Sequence, residues 1–213
     1  MPDKLPSPAL VLGSTSRYRR ELLERLGLPF EIRAPEVDET PHAGEAPLAL
    51  AVRLAEAKAA AVAASFAGTD ATMRDVVVIG SDQVADLDGL ALGKPLAHDK
   101  ATAQLRAMSG RTVLFHTAVA VARPATGQCW QAVDTVKVHM RPLSAQDIET
   151  YLRLEQPYDC AGSAKVEGLG IVLIDRIESD DPTTLVGLSL ITVARLLREA
   201  GLDVLAQRAA AQP

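Results

Sequence analysis

Apolar and polar positions fall in blocks whose lengths separate strands from helices. Positions 9–13 (ALVLG) and 76–79 (VVVI) are short, unbroken apolar runs, as in strands buried on both faces. Ser14-Thr15-Ser16 leads from the first run into a helix predicted over 17–26, stopped by Gly27 with Pro29 just beyond. Positions 30–33 read as a second strand and 34–46 as a polar loop. Pro47 suits the first turn of an Ala-rich helix reaching 66, on which Leu48, Val52, Ala55, Ala59 and Val62 form one apolar stripe. After a linker at 68–75, a β-branched strand over 76–81 ends at Asp82, and Asp88-Gly89 is a two-residue hairpin signal. Further helices are predicted over 98–109, 144–154 (Ser144 as N-cap) and 185–200. Paired strands are predicted over 113–122 and 130–140, and a last strand over 169–177. Helices and strands alternate, but hairpins intervene. The pattern therefore predicts an α/β fold with a mixed sheet, one domain over 1–206, and a tail frayed from Gln207.

Composition narrows the function. The 213 residues carry 22 Lys and Arg against 27 Asp and Glu, a net charge of −5. Duplex nucleic acid is excluded as the main partner, because neutralising phosphates needs a basic surplus. Three Phe, three Tyr and one Trp are too few for a sheet that stacks bases. The apolar runs are strand-length, far too short to cross a bilayer, and the first residues show no signal-peptide pattern. Cys129 and Cys160 are far apart and form no C-x-x-C pair, so they read as reduced, buried thiols. A cytoplasmic protein is expected.

Four segments carry chemistry. In the first, Gly13 to Arg20, a buried strand feeds a small-residue turn and a helix start, which offers hydroxyls and free N–H groups to an anion. Helical spacing puts Arg19 in the row of Leu23 and Leu26, facing inward toward a phosphate. Arg20 pairs outward with Glu24. In the second, Asp82 lies at a strand end, where it could hold a divalent metal or take a proton from water. If Asp88-Gly89 is the turn, Leu87 faces Leu90 and, by register, Gln83 faces Lys94; a bulge at Gly93 would bring Lys94 beside Asp82. The third is the acidic loop Glu36-Val37-Asp38-Glu39-Thr40, whose hard oxygens suit Mg²⁺ or Mn²⁺. Lys58, the one cation in the second half of its helix, reads by default as a snorkelling surface lysine. The fourth runs from Cys160 to Gly170, where small residues and three glycines allow close approach to a ligand and Glu167 offers two acceptors. The histidines (His42, His98, His116, His139) show no ligand spacing and no triad.

These segments together resemble the Maf family of nucleotide pyrophosphatases. The likeness rests on S-x-S-x-x-R, E-x-D-E-T, L-A-x-x-K-A, G-S-D-Q, G-K-P, A-G-S-x-K-x-E-G-x-G and D-P-x-T-L-V-G-L, in the family's order from Leu10 to Leu202. The resemblance implies an elongated, twisted mixed sheet flanked by helices, with two lobes around a central cleft, as in inosine-triphosphatase-like folds. It implies hydrolysis of a nucleoside triphosphate between the α- and β-phosphates, with Mg²⁺ or Mn²⁺ and in a homodimer. Asp82 would accept the proton and touch the metal, with Glu39 assisting. Lys94, Lys58 and Arg19 would hold the triphosphate, with Ser14 and Ser16 at its edge. Tyr18, Gln83 and Glu167 fall where the base is chosen. The Ser-Asp-Gln and Lys-x-Glu-Gly forms look like the branch that acts on 7-methyl-GTP; Arg17 and Tyr18 stand where that branch usually has Pro and Trp. The alternatives are the same chemistry on dTTP or UTP, and a nucleotide-binding regulator of septum formation without turnover.

Overall fold

The computed structural model describes residues 8–66 and 75–211. The stretch 68–74, read above as linker, and the last two residues lie outside them. One seven-stranded sheet runs in the order β2 (Phe30–Arg33), β1 (Ala9–Gly13), β3 (Val76–Leu87), β5 (Thr112–Arg123), β6 (Gln128–Met140), β7 (Ile174–Glu178), with β4 (Leu90–Leu92) paired to β3. β1 is parallel to both neighbours and every other pairing is antiparallel, so the sheet is mixed as expected.

Helix α2 (Pro47–Ala64) covers one face. Its Leu50, Leu54, Ala55 and Ala59 pack on Val84, Ala118 and Ala120. The other face carries two separate cores. Around one, α1 (Arg17–Glu24) and α5 (Leu190–Glu199) bury Leu22, Leu23, Leu196 and Leu197 against Leu12, Ile79 and Val121. Around the second, α3 (His98–Met108) and α4 (Ala145–Glu155) bury Leu105, Met108, Ile148 and Leu152 against Phe115, Val136 and Val138. Full burial of each such side chain is worth about 1.5–3 kcal/mol. On one edge of β3 the pairing with β1 ends at Gly80 and that with β4 begins at Ala85, and the cleft opens over the stretch between them.

Several expectations need correction. β3 does not stop at Asp82 but runs to Leu87, because antiparallel β5 pairs with it as far as Asp86. What ends there is β1, whose last pair is Gly13 with Gly80. Asp82 thus stands just beyond the point where its parallel neighbour gives way to a helix start. On α2 the expected Ala55, Ala59 and Val62 are buried, but Leu48 is 43% exposed and Val52 half-buried, and the buried face takes in Leu50, Leu54 and Lys58 instead. The apolar run 169–173 is a 3₁₀ segment, anchored by Leu169 N donating to Glu155 Oε2 (2.7 Å), with Ile171 and Val172 half exposed; β7 starts only at Ile174. α5 starts at Leu190, after a break at Gly187, whose φ of +122° suits glycine alone. The segment expected to fray carries α6 (Val204–Ala210), capped by Asp203. Cys129 is exposed and Cys160 half-buried, both free. Among the described residues, no helix is long and apolar enough to cross a membrane.

Candidate active site

The cleft, about 1010 Å³, opens over the end of β1 and is walled by all four chemistry-bearing segments. At its floor the turn after β1 folds on itself: Ser16 N donates to Ser14 Oγ (3.1 Å), and Ser16 Oγ caps α1 by accepting from Arg19 N (3.4 Å). Helical phase then separates the arginines as expected. Arg20 pairs outward with Glu24 (2.9 Å). Arg19 turns inward, donating from Nε to Gly187 O (2.9 Å) and from Nη1 to Ser14 Oγ (3.5 Å).

Lys58 is the largest departure from expectation. It is buried, not snorkelling, and its Nζ lies 2.7 Å from Asp82 Oδ1 and 2.6 Å from Glu39 Oε1. Arg19 Nη2 stands 4.0 Å from the same Asp82 oxygen. α2 can bring Lys58 this deep because Gly80 lets the helix lie directly on β3; a Cβ there would sit 2.4 Å from Ala55 O and Ala59 N. The acidic loop is carried to Lys58 by Arg53, which grips Glu45 through Nε (2.6 Å) and Nη2 (2.8 Å) and also donates to Thr40 O (3.1 Å). Partial burial pushes the Glu39 carboxyl upward. The hydrogen bond from Lys58 and the charges of Lys58, Lys94 and Arg19 outweigh it and hold Glu39 below the ordinary glutamate range. Glu39 itself is 59% exposed and reaches Lys58 from the cleft mouth, while Glu36 and Asp38 lie outside this cluster, Asp38 accepting from Thr40 N (2.9 Å).

The hairpin brings Lys94 to the cleft by another route than expected. Leu87 faces Leu90 as read, but β4 ends at Leu92, paired with Ala85, so the ladder never reaches Gln83 and Lys94. Lys94 lies in the following loop as an exposed side chain on the cleft wall. Gln83 also lines the cleft, yet its Nε2 is committed to Thr117 Oγ1 (2.9 Å), Thr184 O (3.0 Å) and Leu185 O (3.3 Å). At the outer end, the Tyr18 hydroxyl accepts from Arg17 Nη2 (2.6 Å) and the Arg17 guanidinium sits 4.6 Å above the Tyr18 ring. Glu167 stands on the same rim as an exposed side chain, where loss of hydration within the cleft pushes its carboxyl above the ordinary glutamate range. Its glycine-rich segment is tied to α4, with Lys165 Nζ on Glu155 Oε1 and Tyr151 OH donating to Ser163 O (3.1 Å).

The segment 181–189 carries no side-chain pattern that marks chemistry. Asp181 is buried, and Gly187 supplies a backbone carbonyl to the cleft; neither has a sequence signal beyond the D-P-x-T-L-V-G-L string. Three of the four histidines are occupied elsewhere: His116 with Asp86 and Thr135, His98 with Tyr158 and Glu149, His139 with Thr112 and Glu178. Among the described residues, no three His, Cys, Asp or Glu side chains are grouped to hold a metal. The carboxylates that converge are Asp82 and Glu39, joined on one ammonium. Such a pair suits a hard ion of the Mg²⁺ class that takes its other ligands from phosphate oxygens and water.

The model of the Maf-like protein family matches residues 9–200. A 7-methyl-GTP pyrophosphatase of Albidiferax ferrireducens is 58% identical over 196 residues, covering 92% of this chain and 95% of its own. One from Polaromonas is 57% identical over 202 residues (95% and 89%), and one from Xanthomonas oryzae pv. oryzae 59% over 194 residues (91% and 97%). With the mixed sheet, the two cores and the charged cleft in place, the match spans nearly the whole fold: the chain belongs to the Maf family.

Proposed function

We propose that this protein hydrolyses 7-methyl-GTP to 7-methyl-GMP and pyrophosphate. The observation that carries the reading is the meeting of Lys58, Asp82, Glu39 and Arg19 in one cleft, with Lys94 on its wall. Three cations gathered there, with the divalent cation that Asp82 and Glu39 would hold, offset the charge of a triphosphate, and the names of the relatives support the choice of nucleotide. Water attacks the α-phosphorus, the bridging bond to the β-phosphate breaks, and pyrophosphate leaves. Asp82 takes the proton of the attacking water through Oδ2, since Oδ1 is occupied by Lys58. Arg19, Lys58 and Lys94 offset the charge that spreads onto the non-bridging oxygens, and Ser14 and Ser16 border the phosphate chain. Asp82 and Glu39 would hold the divalent cation, which, when bound, lowers the pKa of water and neutralises phosphate oxygens.

The base is read at the rim. A 7-methylguanine ring is cationic and its N1–H and N2–H₂ edge is acidic. Glu167 can accept from that edge in paired fashion, and Tyr18 supplies a ring face for the cation. Pyrophosphate release measured on 7-methyl-GTP, GTP, UTP and dTTP, with and without Mg²⁺ or Mn²⁺, tests the reading. The expected result is metal-dependent release that is fastest with 7-methyl-GTP. Equal or faster release from UTP and dTTP would assign the pyrimidine nucleotides instead, and tight binding without release would make the protein a nucleotide-binding regulator.

A further inference from the structure

Asp181 is a carboxylate buried at 4% exposure whose partners are donors of its own loop. Oδ1 accepts from Thr183 N and Thr183 Oγ1 (both 2.6 Å); Oδ2 accepts from Ser189 Oγ (2.9 Å) and Ile191 N (2.7 Å). Two of these donors lie at the start of α5, so the carboxylate also faces the positive end of that helix. A buried charge is tolerated only where such bonds are made in full. Their effect is to close residues 181–191 into a fixed loop.

The loop's outward product is a row of carbonyls that meet side chains of β3, β5 and α1. Thr184 O and Leu185 O accept from Gln83, and Thr184 O also from Thr117 (3.1 Å). Gly187 O accepts from Arg19 Nε (2.9 Å) and Ser81 Oγ (3.5 Å), in a backbone conformation (φ +122°) that side-chain-bearing residues rarely adopt. With Nε held, the guanidinium plane is set and both Nη groups face inward, one toward Ser14 and the other toward Asp82. An unheld arginine has several rotatable bonds to freeze when it grips a phosphate; a held one has fewer.

We infer that Asp181 is a positioning residue for the phosphate-binding arginine: through the loop it closes, it sets the Gly187 carbonyl that presents the Nη groups of Arg19 to the substrate. The inference rests on the reading that Arg19 holds the triphosphate. A double-mutant cycle tests it, with Asp181→Asn, Arg19→Ala and the pair, read as kcat and KM for pyrophosphate release from 7-methyl-GTP. Dissociation constants for its α,β-methylene analogue, which cannot be cleaved there, are measured in parallel. Asp181→Asn is expected to lower kcat/KM by about 10–100-fold when Arg19 is present, the size of effect seen when a catalytic group is displaced by about an ångström. In the Arg19→Ala background the same change should shift it by no more than about two- to threefold. Equal losses in both backgrounds would overturn the inference, since a merely structural defect acts whether or not the arginine is there. Gly187→Ala, which turns the carbonyl without touching Asp181, should show the same dependence on Arg19. Ser189→Ala, which removes one donor only, carries the cycle if Asp181→Asn is too unstable. If the wild type releases no pyrophosphate, the functional reading fails, while the cycle is still decided by the dissociation constants.

Discussion

Lys58 Nζ lies 2.7 Å from Asp82 Oδ1, and both residues are more than nine-tenths shielded from solvent. Removing the ammonium alone leaves the carboxylate buried, with Arg19 4.0 Å away as its nearest cation. Lys58→Met is therefore expected to destabilise the fold by about 3 kcal/mol in urea unfolding, and Lys58→Met with Asp82→Asn by clearly less. If the double variant loses as much as both single losses combined, the two groups are not coupled.

Gly80 sets the depth of that pair. A methyl group there collides with the backbone of α2 at Ala55 and Ala59, so the helix must move outward and take Lys58 with it. Gly80→Ala is expected to cost about 1–3 kcal/mol and to lower kcat/KM as well, checked by thermal unfolding and pyrophosphate release. Unchanged activity at reduced stability would show that Lys58 does not depend on this close approach.

Arg19 was legible because it shares a helix row with Leu23 and Leu26, and the hairpin turn because Asp-Gly has a narrow conformational use. The burial of Lys58 is not legible, for the opposite reason. In an Ala-rich helix several rows look equally apolar, and a row through Leu48 and Val52 puts the lysine at the flank; the sheet selects the row through Leu50, Leu54 and Lys58. The run 169–173 shows the ambiguity of short apolar stretches, where periodicity cannot choose strand from a tight helical turn and Glu155 decides from a distant helix. Gly187 contributes a carbonyl, a group that every residue owns and no side-chain pattern can flag.

Stability should fall on the acid side in a way traceable to Asp181. Burial alone would push this carboxyl up; the bonds from Thr183, Ile191 and Ser189 outweigh it and hold it below the ordinary aspartate range. A carboxyl depressed in the folded state contributes stability that is whole above its unfolded value of about 3.9 and is lost as pH falls through the folded one. The stability gap between wild type and Asp181→Asn, from urea unfolding at a series of pH values, is expected to be widest near neutrality and to narrow below about pH 4. A gap that stays constant to the lowest pH would show that the charge of Asp181 is not what the loop requires.

Glu167 tests recognition apart from chemistry. It lies on the cleft rim, outside the cluster of Asp82, Lys58 and Glu39. Glu167→Gln keeps the shape but loses the charge that suits a cationic base. It is expected to lower kcat/KM for 7-methyl-GTP about tenfold more than for UTP, as for loss of one charged hydrogen bond. Equal losses on the two nucleotides would remove Glu167 from base selection.

The chemistry itself turns on Asp82, and the most direct measurement is pyrophosphate release by Asp82→Asn with saturating 7-methyl-GTP and metal. A folded variant that still binds the nucleotide but releases pyrophosphate about 10²–10⁴-fold more slowly is the expected result. A variant that turns over at the wild-type rate would contradict the assignment of proton transfer to this carboxylate.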